Sequence, residues 1–178
     1  MDPKQTIKEL HRIASTLNNS KQPNKNLVLN ELNKLVYRIA SDEINNDTRY
    51  ELDENGNTMW RNSAGQLHRT DGPAWEWANG TKWWYLNGQR HRTDGPAIEW
   101  ANGDKHWYIH GQRHRTDGPA IERANGSKEW YFKGQYHRTD GPAVEYADGT
   151  KEWWYKDKKI SEKKFNSKDF QVKIVMES

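Results

Sequence analysis

Four copies of His-Arg-Thr-Asp-Gly-Pro-Ala, at His68–Ala74, His91–Ala97, His114–Ala120 and His137–Ala143, set an imidazole, a guanidinium and a carboxylate at fixed offsets. Glu76, Glu99, Glu122 and Glu145 follow at a constant distance and add a second carboxylate to each set. Such residues can do general acid–base chemistry, ligate a metal or receive phosphate. Four equal copies argue against the first two. The copies start 23 residues apart, and repeats two strands wide stand roughly 9–10 Å from one another, too far to converge on one bond or on one metal with ligands at about 2 Å. No nucleophile motif, Walker loop or dinucleotide fingerprint accompanies them. The expectation is a protein that is not an enzyme and uses no metal or other cofactor.

Two readings of the basic column stay open. Arg69, Arg92, Arg115 and Arg138 can form a ladder of hydrogen bonds and ion pairs with Glu or Asp of the same or next repeat, fixing repeat-to-repeat register. Alternatively Arg92 and Arg115, with Arg90, His91, Arg113 and His114, line a groove for phosphate or for an acidic partner, with Trp83, Tyr85 or Tyr108 available for stacking. Trp84, Trp107, Trp130 and Trp153 recur without change and read as core. Trp77, Trp83 and Trp100 do not recur: Arg123 and Tyr146 fill one column, His106, Glu129 and Glu152 the other. Columns that change from aromatic to charged are better placed to touch a partner than to fill a core.

A fixed period of this length implies repeats that each bury an apolar face only by stacking on neighbours. The 33% hydrophobic content of the 178 residues and a mean hydropathy of −1.26 would suggest a marginal core. All ten Trp lie between Trp60 and Trp154, however, so the apolar material is concentrated in the repeats. A net charge of +3, from 28 basic and 25 acidic residues, neither requires nor excludes an anionic partner. The absence of Cys removes disulfides, thiolate catalysis and Cys-based zinc sites. No long apolar run or leader is evident, and the reading is a cytoplasmic protein with no membrane contact.

Within a repeat, Asn79-Gly80, Asn102-Gly103, Asn125-Gly126 and Asp148-Gly149 sit between short alternating runs and predict two-residue type I′ hairpins. Setting Ala78 opposite Thr81 places Trp75 opposite Trp84, with Trp77 and Leu86 on the same apolar face. Ile98, Trp107 and Ile109, then Ile121, Trp130 and Phe132, then Val144, Trp153 and Tyr155 would continue that face. Glu76 and Tyr85, with their equivalents, would form the wetter side. The heptapeptide becomes a corner between hairpins.

The expected fold is mainly β: an open antiparallel β-hairpin repeat array with an N-terminal α-helical hairpin. Residues 1–48 form that hairpin, from apolar stripes at Ile7, Leu10, Ile13, Ala14 and Leu17 and at Val28, Leu32, Leu35, Val36 and Ile39. Residues 49–159 form the array, with a degenerate capping repeat at 49–67 around Asn55-Gly56 and Trp60, and full repeats at 68–90, 91–113, 114–136 and 137–159. Residues 160–178 form a C-terminal cap in which Ser161 starts a short helix and Phe170, Val172, Ile174 and Met176 alternate as a strand.

A 23-residue hairpin repeat with an Asn-Gly or Asp-Gly turn before the aromatic strand and a Gly turn after it resembles the MORN repeat family, over roughly Tyr50 to Lys159. The most specific part runs from Trp84-Tyr85 through Gly88 and Gly95 to Gly103. The resemblance implies an open, twisted single-layer meander that acts as a scaffold, often dimeric, with protein and sometimes lipid contacts. The heptapeptide stands where the usual unit has a shorter glycine-spaced turn, so the lipid contacts are not carried over. The wording is most similar to repeats of bacteriophage and large-virus proteins, which implies an accessory role in the host cytoplasm.

The functional expectation is a scaffold that holds a protein partner on an aromatic and Arg/His-lined surface, with Trp77, Trp83, Arg90, His91, Arg92, Trp100, His106, Arg113, His114 and Arg115 as candidate contacts. The alternative is capture of a nucleotide, cyclic oligonucleotide or nucleic acid. Two helices of about 20–25 Å cannot cover an array of about 45–50 Å, so a second copy of the chain is a further candidate to cover it.

Overall fold

The computed structural model describes Thr6, Leu10, Arg12, Ile13, Leu32 and residues 48–177. The five isolated N-terminal residues are helical. Leu10 packs on Tyr50 and Trp60. The rest of the predicted helical hairpin lies outside the described residues. The fold is mainly β, built of short antiparallel hairpins, and divides into two compact bodies, 1–88 and 89–178.

The first body holds β1 (Thr48–Leu52), β2 (Thr58–Asn62), β3 (Trp75–Glu76), β4 (Lys82–Trp83) and β5 (Tyr85–Leu86). The first four lie side by side in that order, all antiparallel. The second body holds β6 (Gln89–Arg90), β7 (Ile98–Glu99), β8 (Lys105–His106), β9 (Tyr108–Ile109), β10 (Gln112–Arg113), β11 (Ile121–Glu122), β12 (Lys128–Glu129), β13 (Tyr131–Phe132), β14 (Gln135–Tyr136), β15 (Val144–Glu145), β16 (Lys151–Tyr155) and β17 (Lys158–Ile160). Its main sheet runs β7-β8-β11-β12-β15-β16-β17, with β9·β10 and β13·β14 as separate two-stranded ribbons.

The predicted turn type is corrected. Gly80 N–H donates to the Trp77 carbonyl at 2.9 Å and Trp77 N–H to the Thr81 carbonyl at 2.9 Å, so three residues, not two, form the loop. Gly80 takes φ of 90° while Asn79 keeps a negative φ and uses its side chain to accept the Thr81 N–H at 2.9 Å. This is a type I turn with a glycine bulge; type I′ needs both central residues at positive φ. Asn102, Asn125 and Asp148 make the same bond to residues 104, 127 and 150. Two-residue turns with both residues at positive φ occur instead at the other end of each hairpin, at 110–111, 133–134 and 156–157.

The extra loop residue shifts the register by one, and a slip of one exchanges the faces. Trp75 pairs with Trp83, not Trp84, and Glu76 pairs with Lys82. In the second body Ile98, His106, Ile121, Glu129 and Val144 form one cross-strand row. Tyr108 and Tyr131, two residues beyond His106 and Glu129, share that side and are buried with Ala97, Ile98, Ala120, Ile121, Ala143 and Val144. The expected core Trp column is only half-buried: Trp107 packs against the Ala120, Ile121 and Tyr131 cluster and Trp153 against the Tyr155 cluster, while Phe132 is exposed.

Successive loops are tied by side chains at the position after the turn glycine. Asn57 accepts the Ala78 N–H at 3.0 Å, Asp104 the Ala124 N–H at 2.7 Å and Ser127 the Ala147 N–H at 3.0 Å. Every residue at this position (Asn57, Thr81, Asp104, Ser127, Thr150) carries a side-chain oxygen.

The C-terminal strand is also corrected. Ser161 caps α1 (Glu162–Phe165) as expected, but α2 (Lys168–Glu177) replaces the alternating strand. Phe170 and Ile174, one helical turn apart, pack with Phe165 on Tyr155, leaving Val172 and Met176 exposed. Apolar residues at 170 and 174 satisfy both periods, and the end of the sheet needed a cover that a helix supplies.

Candidate functional site

The heptapeptide is an internal clamp, built alike in the three copies of the second body, while in the first copy Glu76 turns to Lys82. In Arg115, Nε donates to Asp117 at 2.9 Å, Nη1 donates to the Pro119 carbonyl at 3.2 Å and to Glu122 at 2.7 Å, and the guanidinium carbon lies 4.0 Å from the centre of the Trp107 ring. Arg92 makes the same three polar bonds, to Asp94, Pro96 and Glu99. Arg138 does so with Asp140, Pro142 and Glu145 while stacking on Trp130 at 3.9 Å. In the first body Arg69 bonds Asp71 and stacks on Trp60. Glycine is required at the fifth position because a Cβ there would stand 2.9–3.0 Å from the guanidinium carbon.

The motif histidine holds the following turn. Nδ1 of His68, His91, His114 and His137 accepts the backbone N–H of Asn87, His110, Lys133 and Lys156 at 3.0–3.3 Å, and each of those residues sits at positive φ. An imidazolium cannot accept this bond. Burial holds His91, His114 and His137 below the usual histidine pKa, and the neighbouring His110, Lys133 and Lys156 lower them further. With the folded pKa depressed, their contribution is full above the unfolded value of about 6.5 and is lost as pH falls through the folded pKa. The melting temperature is expected to fall between about pH 7 and 5, and a His91→Gln/His114→Gln/His137→Gln variant to show a flatter slope there in a pH series of thermal melts. An unchanged slope would remove the histidines from this role.

The ten candidate residues therefore separate. His91, Arg92, His114 and Arg115 belong to the clamp. Arg90, Trp100, His106 and Arg113 belong to the opposite face of the second body, and Trp77 and Trp83 to the corresponding face of the first. There Trp75, Trp77 and Trp83 form one cluster, with Trp75 and Trp77 stacked at 4.2 Å and Trp83 edge-on to Trp77 at 4.5 Å.

The face of the second body carries a polar network that sequence reasoning did not assemble. Glu129, 8% exposed, accepts from Arg123 at 2.5 Å, from the Tyr136 hydroxyl at 2.8 Å and from the Tyr131 hydroxyl at 3.1 Å. The Tyr131 hydroxyl in turn accepts from Arg113 at 3.1 Å, and Arg113 also donates to the Tyr108 hydroxyl at 3.3 Å. The Arg90 guanidinium lies 5.3 Å from the Tyr108 ring centre. Burial pushes the Glu129 pKa up, but the bonds from Arg123, Tyr136 and Tyr131 hold it below the ordinary carboxylate value. Burial raises the Tyr131 hydroxyl well above the usual tyrosine value, and its bonded neighbours Tyr136 and Glu129 raise it further. At the rim Trp100 and Tyr146 are 39% and 45% exposed, with Arg123 between them in the repeat order. The signal for this network was the pair of columns whose residues change; that Glu129 is buried follows only from the corrected register.

Among the described residues no group of three or more His, Asp or Glu is placed to hold a metal ion, and no helix is long and apolar enough to cross a membrane. No protein-family model, curated protein or solved structure matches the chain.

Proposed function

We propose that this protein is a non-enzymatic, MORN-like repeat scaffold that holds a protein partner on the face of the second body carrying Trp100, Arg123 and Tyr146. The observation that supports this reading is the division of labour between faces. On one, His, Arg, Asp and Glu recur and engage one another; on the other, equivalent positions change from Trp100 to Arg123 to Tyr146 and stay exposed. Rigid, half-exposed aromatics and an arginine are the side chains that dominate protein interfaces. A polyphosphate on the Arg column is less favoured, because Arg92 and Arg115 already meet two carboxylates each. The resemblance to bacteriophage and large-virus repeats makes a viral accessory protein in the host cytoplasm the setting we favour.

The test compares wild type with a Trp100→Ala/Tyr146→Ala variant of unchanged melting temperature, by cross-linking and affinity capture of a defined partner. Loss of the two aromatics is expected to weaken capture by about 10-fold or more. Equal capture would place the partner elsewhere. Native mass spectrometry of the purified protein checks the nucleotide alternative and self-association in the same sample.

A further inference from the structure

Arg113 differs from six other arginines in what its guanidinium meets. Arg61, Arg69, Arg92, Arg115, Arg123 and Arg138 each bring a nitrogen within 3.1 Å of a carboxylate oxygen. Arg113 meets no carboxylate among the described residues, only the hydroxyls of Tyr108 and Tyr131. A guanidinium has five N–H donors, and these bonds occupy two. The side chain is thus fixed on both sides, half-buried, and still has donors to spend.

His106 adds a second polar group to the same face. It lies in the row between Ile98 and Ile121, with Trp100 edge-on to its ring at 6.4 Å. Its Nε2 is buried without a hydrogen-bond partner among the described residues. Arg113 pairs across strands with Tyr108, two residues on from His106, so both side chains point to one side. Burial first, then the charges of Arg113 and Arg123, hold the His106 pKa below the usual histidine value, opposed by Asp104 and Glu129.

We propose that Arg113 and His106, with Tyr108 against the guanidinium and Trp100 against the imidazole, receive a carboxylate of the protein partner, an Asp or Glu in an acidic segment crossing this face. The proposal rests on the protein-partner reading above and specifies its chemistry. Charge decides the occupant: Arg123 is matched by Glu129 and Asp104 accepts the Ala124 N–H, whereas Arg113 meets only hydroxyls, so a single negative charge is what matches Arg113. A dianionic phosphate would add a second charge beside Glu129 and Asp104, and like charges at close range cost more than the extra hydrogen bonds return.

The test uses the full chain and a capped hexaglutamate peptide, following the Arg113 Nε–H and His106 ring signals by NMR, with hexalysine and inorganic phosphate as comparison probes. Expected are saturable shifts at both side chains with hexaglutamate alone, weakened roughly tenfold by Arg113→Gln and in part restored by Arg113→Lys. Should Arg113→Gln fail to fold, His106→Gln gives the same reading, with a smaller loss expected. Absence of saturable shifts, undiminished affinity in these variants, or tighter binding of phosphate than of peptide overturns the proposal. If Trp100→Ala/Tyr146→Ala loses a partner that Arg113→Gln retains, the face stands and this site falls; if both retain it, the partner reading falls first.

Discussion

Gly118→Ala is expected to cost about 2–3 kcal/mol, lowering the melting temperature by roughly 5–10 °C, although the new methyl group is small and the site lies at a surface corner. The added Cβ would stand 3.0 Å from Cζ and 3.2 Å from Nε and Nη2 of Arg115. That guanidinium cannot step aside. It is packed on Trp107 and bonded to Asp117, Pro119 and Glu122, with only 20% of its side chain exposed. Displacing it forfeits the stack, the Pro119 bond and the pairing with partly exposed Glu122. Arg115→Ala should cost a similar amount by removing the same contacts. The double variant supplies the decisive comparison: with the guanidinium gone, a Cβ at 118 has lost its nearest obstacle, so Arg115→Ala/Gly118→Ala should be no less stable than Arg115→Ala alone, a coupling of about 2 kcal/mol. Urea denaturation of the four proteins measures it. Additive losses would mean that the glycine serves the backbone and not the arginine.

This clamp shows how far a sequence of exact repeats can be read. The period, the hairpin, the helix cap at Ser161 and the Arg-to-carboxylate ladder follow from residue types and spacing. The faces do not, because they depend on one residue in one loop. Asn79-Gly80 carries the dipeptide of a type I′ turn, yet the Asn side chain closes on the Thr81 N–H and only the glycine turns over. The residue immediately after the glycine could have signalled this, since Asn57, Asp104 and Ser127 are each turned to the next loop. The Trp107 column is half core and half platform. An invariant aromatic can serve an invariant arginine as well as a core, and Trp107 packs against buried Ala120, Ile121 and Tyr131 while carrying Arg115.

The same distinction separates stability from recognition. A face whose residues recur in every repeat and bond to one another is committed to holding the array in register. A face whose residues vary along the array has no such duty at each step, and its polar groups must be satisfied locally or by something outside. In the second body, Arg123 and Glu129 satisfy each other, while Arg113 is satisfied only by neutral hydroxyls. The proposed carboxylate site is the remainder of that balance.

Glu129→Ala tests whether the network holds the binding face together. The residue is 8% exposed and its carboxylate accepts from three side chains on three segments, so its removal strands Arg123, Tyr131 and Tyr136 at once. The expected cost is about 3 kcal/mol. Glu129→Gln, which keeps the shape and an acceptor but not the charge, should cost about half as much. Because the folded pKa of Glu129 is depressed, its contribution is present above the unfolded value of about 4.3 and disappears as pH falls through the folded pKa. The gap between wild type and Glu129→Gln should therefore be full at pH 6 and close in strong acid, a signature that loss of packing alone would not give. A Glu129→Ala loss below about 1 kcal/mol, the value of an exposed pair, would mean that water reaches the carboxylate. In that case Arg123 would be mobile at the rim and the face could not be preorganised for a partner; a full loss would make Glu129 the residue that fixes Arg123 between Trp100 and Tyr146.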